Sequence, residues 1–414
     1  MKILNNPNYL RYLDMKSIGF FWKSYQDEDD VCQKCPYGKD KIVSSNEVSS
    51  SKNNDFEFQI NLWNTDVSNV VDKHQFRFRA IDFGLVCPLS TRKLYFLFPF
   101  KADKTDFQDL VRCLSLDANL LCTVFNENLT STSEPAKSFH KIDGGNVHLL
   151  MYELSKENIE SFNYDAAANV TEMAVTINTN FATEEFKDYK LFVRFRLMLE
   201  SFDSFAKKKK VSNDWLQSAF SSTYLFDIRL NDVRELAKKK KELVEFKGFL
   251  LPEFKKVHFF YMADSEENVE NGSSMKLDKR LLENERWHSY LGGNLEFVSA
   301  NIAHHWKATT KKSLYLKKVE VTDSQNSKLQ LAQKETIIQN FTLFFKTEFS
   351  DCQFKRLLLY ISIIVVLGMI ASAIISIISC FIPDNFGYDW AVWSILIISI
   401  TLLVFFILYK STKK

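Results

Sequence analysis

A chain of 414 residues with 46% hydrophobic and 25% charged side chains has ample material for a packed core, which excludes a disordered or fibrous protein. Only 11 glycines leave few places where backbone can wrap closely round a phosphate, which argues against a glycine-rich nucleotide cradle, and 37 phenylalanines point to aromatic burial instead. The formal net charge is +2, of which residues 355–414 hold +3 and residues 1–354 therefore −1, so nucleic acid is not an expected partner.

Taken in chain order, the first motif is CQKC, whose Cys32 and Cys35 have the spacing of a zinc half-site or a redox pair. A structural zinc needs two more ligands, and the sequence has no second CxxC and no HxxxH; His74 and Cys87 complete a site only by accident of fold. The other cysteines sit in apolar contexts such as LVCPL and LLCTVF, which fits small buried hydrophobes in a reducing compartment. No cofactor is expected. The amino-terminal residues carry no apolar run of signal-peptide length.

Period-two alternation then dominates as far as residue 320. FEFQINLW places Phe56, Phe58, Ile60 and Leu62 on one face, and KLFVRFRLML does the same with Leu191, Val193, Phe195, Leu197 and Leu199. Further strands are predicted at 75–83, 94–100, 120–125, 146–152, 171–178, 223–230, 257–263 and 313–321. Helices are predicted at 106–116, 231–246 and 278–291, the second opening on Asn231 as a cap. Asp82–Gly84 reads DFG, but it falls inside a strand pattern without the glycine-rich and HRD-type loops of a kinase. Neither a P-loop nor a dinucleotide, HExxH or GxSxG motif occurs.

These patterns predict an α+β protein: residues 1–325 form a largely antiparallel β-sheet or sandwich with inserted helices, in the cytoplasm. Residues 326–356 are expected to form an amphipathic connecting helix, with Ile337, Phe341, Phe344, Phe345, Phe349 and Cys352 on one side. Residues 357–409 follow as a two-helix transmembrane hairpin (357–382 and 390–409), with a basic cytoplasmic tail at 410–414. All five basic residues of this part, Lys355, Arg356, Lys410, Lys413 and Lys414, flank the hairpin on the side away from its short acidic connection, which puts both ends in the cytoplasm. Gly368, Ser372, Ser376 and Cys380 recur every fourth position as a narrow ridge suited to helix packing.

Chemistry-bearing residues are few. His288, His304 and His305 lie beside Trp287 and Trp306 and could line a ligand site or do acid/base work. Two runs, Lys207, Lys208, Lys209, Lys210 and Lys238, Lys239, Lys240, Lys241, could face an anionic surface or ligand. The layout is similar to that of bacterial effectors of antiviral defence, in which a recognition domain controls membrane damage, and this resemblance implies an effector. The expectation is a membrane-anchored, non-enzymatic sensor and effector whose cytoplasmic domain recognises a ligand or protein and controls assembly of the hairpin. The partners expected are the lipid bilayer, further copies of the chain in a homo-oligomer, and a cytosolic ligand or protein. The alternatives are a passive anchor that recruits a cytosolic partner and a membrane-tethered enzyme using the histidines.

Overall fold

Alternating apolar residues can bury one face only if a second layer covers it, and two open sheets meet that need here. The computed structural model describes residues 17–25, 55–133, 138–209, 221–319, 328–350 and 354–381. It divides into two units, residues 1–209 with 223–349 and residues 210–222 with 350–414.

The first unit lays down β1 (Ser17–Ser24), β2 (Asp55–Asn69), β3 (Gln75–Cys87), β4 (Thr91–Phe98) and β5 (Phe107–Asp109), then helices α1 (Val111–Leu116) and α2 (Ala118–Phe125). Next come β6 (Thr130–Ser133), β7 (Phe139–Gly144), β8 (Val147–Tyr152), β9 (Ile159–Asp165), β10 (Val170–Thr176), β11 (Lys190–Met198), β12 (Ala206–Lys208) and β13 (Ser221–Leu230). Helix α3 (Val233–Lys240) runs on into a π-helical turn, Lys241–Phe246, before β14 (Glu253–Asp264), β15 (Asn268–Asn271) and β16 (Leu277–Leu282). Helix α4 (Asn284–Leu291), β17 (Leu295–Phe297), β18 (Asn301–Thr309), β19 (Lys311–Val319), β20 (Lys328–Thr336) and β21 (Phe341–Ser350) complete it.

An eight-stranded sheet runs β15-β21-β13-β1-β4-β10-β9 with β12 beside β13, and an eleven-stranded sheet runs β16-β18-β14-β2-β3-β11-β8-β7-β6 with β17 on β2 and β5 on β11. Strands β19 and β20 pair as a separate hairpin. Most neighbours are antiparallel; β1 with β13, β2 with β14 and β8 with β11 are parallel. The facing sides of the two sheets share one aromatic core, with Phe20 against Phe58 at 5.6 Å, Phe96 against Phe195 at 5.2 Å and Phe226 against Tyr261 at 5.4 Å between ring centroids. Each such ring removed from water contributes roughly 1.5–3 kcal/mol, which is where the phenylalanine excess acts. On the far side of the eight-stranded sheet, Leu236 and Leu243 cover Phe21, Tyr95 and Leu97.

Several expectations are corrected. The fold is mostly β with few helices and two open sheets, rather than α+β with a membrane hairpin. Among the described residues no helix is long and apolar enough to cross a membrane. The last helix, α5 (Phe354–Phe381), belongs to the second unit. The expected second span, 390–409, lies outside the described residues. The two-helix hairpin and the multi-pass membrane location are therefore not supported. Residues 326–356 are not a connecting helix either: β20 and β21 occupy most of them, and Phe341, Leu343 and Phe345 are buried at period two while Phe344 is exposed. Residues 120–125 are helical in α2 rather than extended, because Leu120 and Leu121 pack with Leu114 and Trp287 over the far side of the large sheet. The helices expected at 106–116 and 278–291 each begin as a strand, β5 and β16.

Candidate functional site

The outward side of the eleven-stranded sheet is covered unevenly. Helices α1, α2 and α4 pack over Trp63, Phe78, Phe192 and Met262, while the rest lies open as a groove of about 820 Å³. Charged and polar side chains of β2, β14, β18 and β16 meet the apolar edge of α2 and Trp287 there.

Register decides what lies in this groove. Because opposed residues on neighbouring strands share a face, the pairings Asp278–His305, His305–Phe260, Phe260–Asn61, Asn61–Asp82 and Asp82–Arg196 form one continuous row across five strand boundaries. A second row runs Lys307, His258, Gln59, Gly84, Arg194. Gly84 is what lets the second row close: Arg194 Nη1 donates to Gln59 Oε1 at 2.9 Å, and a Cβ on residue 84 would lie 3.3 Å from each of those atoms. In a third row Lys256 Nζ meets Glu57 Oε1 at 3.0 Å.

At the centre, His258 Nδ1 and His305 Nε2 are 3.0 Å apart and their rings are parallel to within 4°. Phe260 stacks on His305 at 4.2 Å between centroids, also within 4°. All three rings are half-buried and line the groove. Burial pushes His258 down to about 3, helped by His305, Lys307 and Lys256; burial also lowers His305, against a smaller opposing pull from Asp278. Both rings are therefore neutral near neutral pH, one nitrogen donating to the other. Beside Phe260, Asn61 is 3% exposed and its Oδ1 has no hydrogen-bond partner. A buried amide oxygen left without a donor costs about 1–3 kcal/mol, so it marks a place where a donor is missing.

Beneath the helices the first row ends in a closed polar network. Asp82 accepts from Arg196 Nε at 2.6 Å and Nη2 at 3.1 Å, from Trp63 Nε1 at 2.6 Å and from Tyr290 Oη at 2.7 Å. Arg194 Nε donates to the same Tyr290 oxygen at 2.8 Å, and Arg196 Nη1 donates to the Tyr290 carbonyl at 3.1 Å. Burial alone would lower Arg196, yet the Asp82 carboxylate outweighs it and holds the guanidinium above its ordinary range. The network ties α4 to β3 and β11, so the wall of the groove is held by charge-assisted bonds as well as by packing.

The three histidines singled out by sequence do not form one cluster. His288 sits on α4 with Nδ1 2.8 Å from the Leu295 carbonyl. His304 points to the opposite side of its strand from His305, 1% exposed, with neither ring nitrogen partnered and its pKa pushed down to about 4 by burial and then by Lys279. His305 alone reaches the groove, and its partner is His258. None of the described side chains of the two lysine runs lines it. Lys207, Lys208 and Lys209 are exposed, with Lys208 5.5 Å from the Tyr224 ring centre, and Lys210 lies outside the described residues. Lys239 pairs with Glu172 and Glu242; Lys240 ends α3, Lys241 opens the π turn, and the side chain of Lys238 is outside the described ones. Cys32 and Cys35 fall outside the described residues, among which no group of three or more metal-ligating side chains occurs. Gly368, Ser372 and Ser376 lie exposed along α5, with Ser376 Oγ donating to the Ser372 carbonyl at 3.0 Å and nothing within 4 Å of a Cβ built on Gly368. The side chain of Cys380 is outside the described ones.

Sequence reasoning missed His258, Phe260, Asn61, Arg194 and Arg196. The signal for the last two was present, since two arginines alternate with Val193, Phe195 and Leu197 in a strand whose other face is also buried. The DFG tripeptide belongs to this site for reasons unrelated to kinases: Asp82 anchors the network, Phe83 faces the core and Gly84 makes room for Arg194. No protein-family model matches the chain, and no curated protein matches it.

Proposed function

We propose that the protein is a non-enzymatic recognition module whose ligand seats in the groove on the outward side of the eleven-stranded sheet. The observation that carries this reading is the row Asn61, Phe260, His305: an orphaned buried acceptor beside a parallel set of rings, in a cavity within the size range of small-molecule sites. The supporting frame is rigid, because Asp82, Arg196, Trp63 and Tyr290 hold the adjoining wall with every bond internal.

Binding rather than turnover is favoured by the chemistry of the groups present. His258 and His305 spend their facing nitrogens on each other, and burial drives His258 down to about 3, below the range useful for proton transfer at neutral pH. Glu57 is paired with Lys256 and Asp278 with Lys276 at 2.6 Å, so neither carboxylate is poised as a base. A catalytic role for His288, His304 and His305 together would need them in one site, and they lie in three.

The test uses the whole chain incubated with a metabolite extract, desalted and examined by native mass spectrometry. A small-molecule adduct is expected on the wild type and not on Phe260→Arg, which fills the groove with a charged side chain. Equal adducts on both proteins, or none on either, would overturn the reading.

A further inference from the structure

We infer that the ligand of this groove is a nucleotide, held by its base on the Phe260 and His305 rings and by its phosphate on the basic rim; the inference rests on the recognition reading above. Three features converge on that class. Phe260 and His305 are stacked and parallel at 4.2 Å, and the coplanar His258 widens the flat surface they offer, which is the geometry a heteroaromatic ring pairs with. In the register position next to Phe260, Asn61 lines the same groove with its buried Oδ1 an unpartnered acceptor, and ring N–H and exocyclic amino groups of nucleobases are donors in the plane of the ring.

Charge supplies the third feature. Among the described residues the groove is lined by six basic side chains against four acidic ones, and Lys307 stands opposite His258 in the same row. A neutral planar ligand would use the rings and Asn61 but leave this excess idle, and a plain anion would use the lysines but leave the rings and Asn61 idle. A nucleoside phosphate uses all of them. The scarcity of glycine is consistent with it, since the base and phosphate are held by side chains on strands rather than by a backbone cradle. The walls at α2 and Trp287 bound the volume to about 820 Å³, which suits a free nucleotide rather than a strand that must run through.

The experiment titrates the full-length chain calorimetrically with the four ribonucleoside monophosphates, their nucleosides, inorganic phosphate and an RNA tetranucleotide. At least one monophosphate is expected to bind at least about tenfold tighter than its nucleoside and than inorganic phosphate, with Asn61→Leu and Phe260→Leu each weakening it about tenfold. Unchanged melting temperatures of these variants separate lost binding from lost folding, and His305→Phe, which keeps the ring but not the nitrogens, serves where either variant melts early and is expected to retain the stacking share. Inorganic phosphate binding as tightly as every nucleotide reduces the site to an anion site and overturns the inference. The tetranucleotide binding more than about tenfold tighter than any mononucleotide assigns the groove to a strand and overturns it too. If no nucleotide binds while the extract still yields an adduct that Phe260→Arg abolishes, this inference fails and the recognition reading stands; if neither occurs, both fail.

Discussion

Replacing Asp82 by alanine is the most informative single change, because one fully buried carboxylate satisfies four donors. Arg196 and Asp82 both have 0% of their side chains exposed. Removing the carboxylate leaves a buried guanidinium without its counter-charge, which costs about 3–5 kcal/mol. It also strips the Trp63 indole and the Tyr290 hydroxyl of their acceptor, at about 1–3 kcal/mol each when no water replaces it. These terms share partners and do not add fully, so the expected loss is about 4 kcal/mol or more, a large part of a typical 5–15 kcal/mol unfolding free energy. Urea unfolding at constant pH reads this as a lower midpoint with the slope unchanged. The charge argument makes a second, sharper demand: Asp82→Leu combined with Arg196→Met removes both charges and should be more stable than Asp82→Ala alone. A single-variant loss below about 1 kcal/mol, or a double variant less stable than the single, would refute the assignment of this pair as the anchor of the groove wall.

Other consequences are equally measurable. Alanine at three glycines should rank by space: Gly144→Ala is the most damaging, since its Cβ collides with the Asn128 backbone oxygen; Gly84→Ala costs about 1 kcal/mol by pressing Arg194 and Gln59 apart; and Gly368→Ala, open on helix α5, is neutral or gains up to about 1 kcal/mol in thermal unfolding. Lysine at Leu343, 1% exposed, should unfold the unit readily, whereas lysine at the neighbouring exposed Thr342 should stay within about 0.5 kcal/mol; equal costs would contradict a strand at β21. The titration of His258 makes stability rise with pH between about 3 and 6.5, because the unfolded chain takes up the proton that the folded one refuses, with a slope of at most about 1.4 kcal/mol per pH unit that His258→Gln should remove. Glu267 acts in the opposite direction: burial raises it to about 8, the folded state keeps a proton the unfolded chain releases, and stability falls as pH rises from 4.5 to about 8, a slope that Glu267→Gln should flatten in urea titrations.

How far the site was legible differs from residue to residue. Arg194 and Arg196 stood in plain alternation, but whether that face met water or a second layer depended on α4, which lies about a hundred residues further on and supplies Tyr290. His305 was visible beside Trp306, yet its partner His258 sits in a different strand and became a partner only when β14 paired with β18. Asn61 looked like one more polar residue on a wetter face; it is 3% exposed because Phe260 and Asp82 flank it in the same row.

The amino-acid sequence by itself determined which side chains of each strand face the core, because alternation is a property of consecutive residues and survives any arrangement of neighbours, as Phe56, Phe58, Ile60 and Leu62 show by all being buried. It could not decide between helix and strand for short apolar runs such as 120–125 and 341–349, since either form offers an apolar face there and the outcome depends on the surface left uncovered. Only the tertiary structure decided the groove, because Asn61, Phe260 and His305 meet through strand register, and register is set by pairings between segments that the chain keeps far apart.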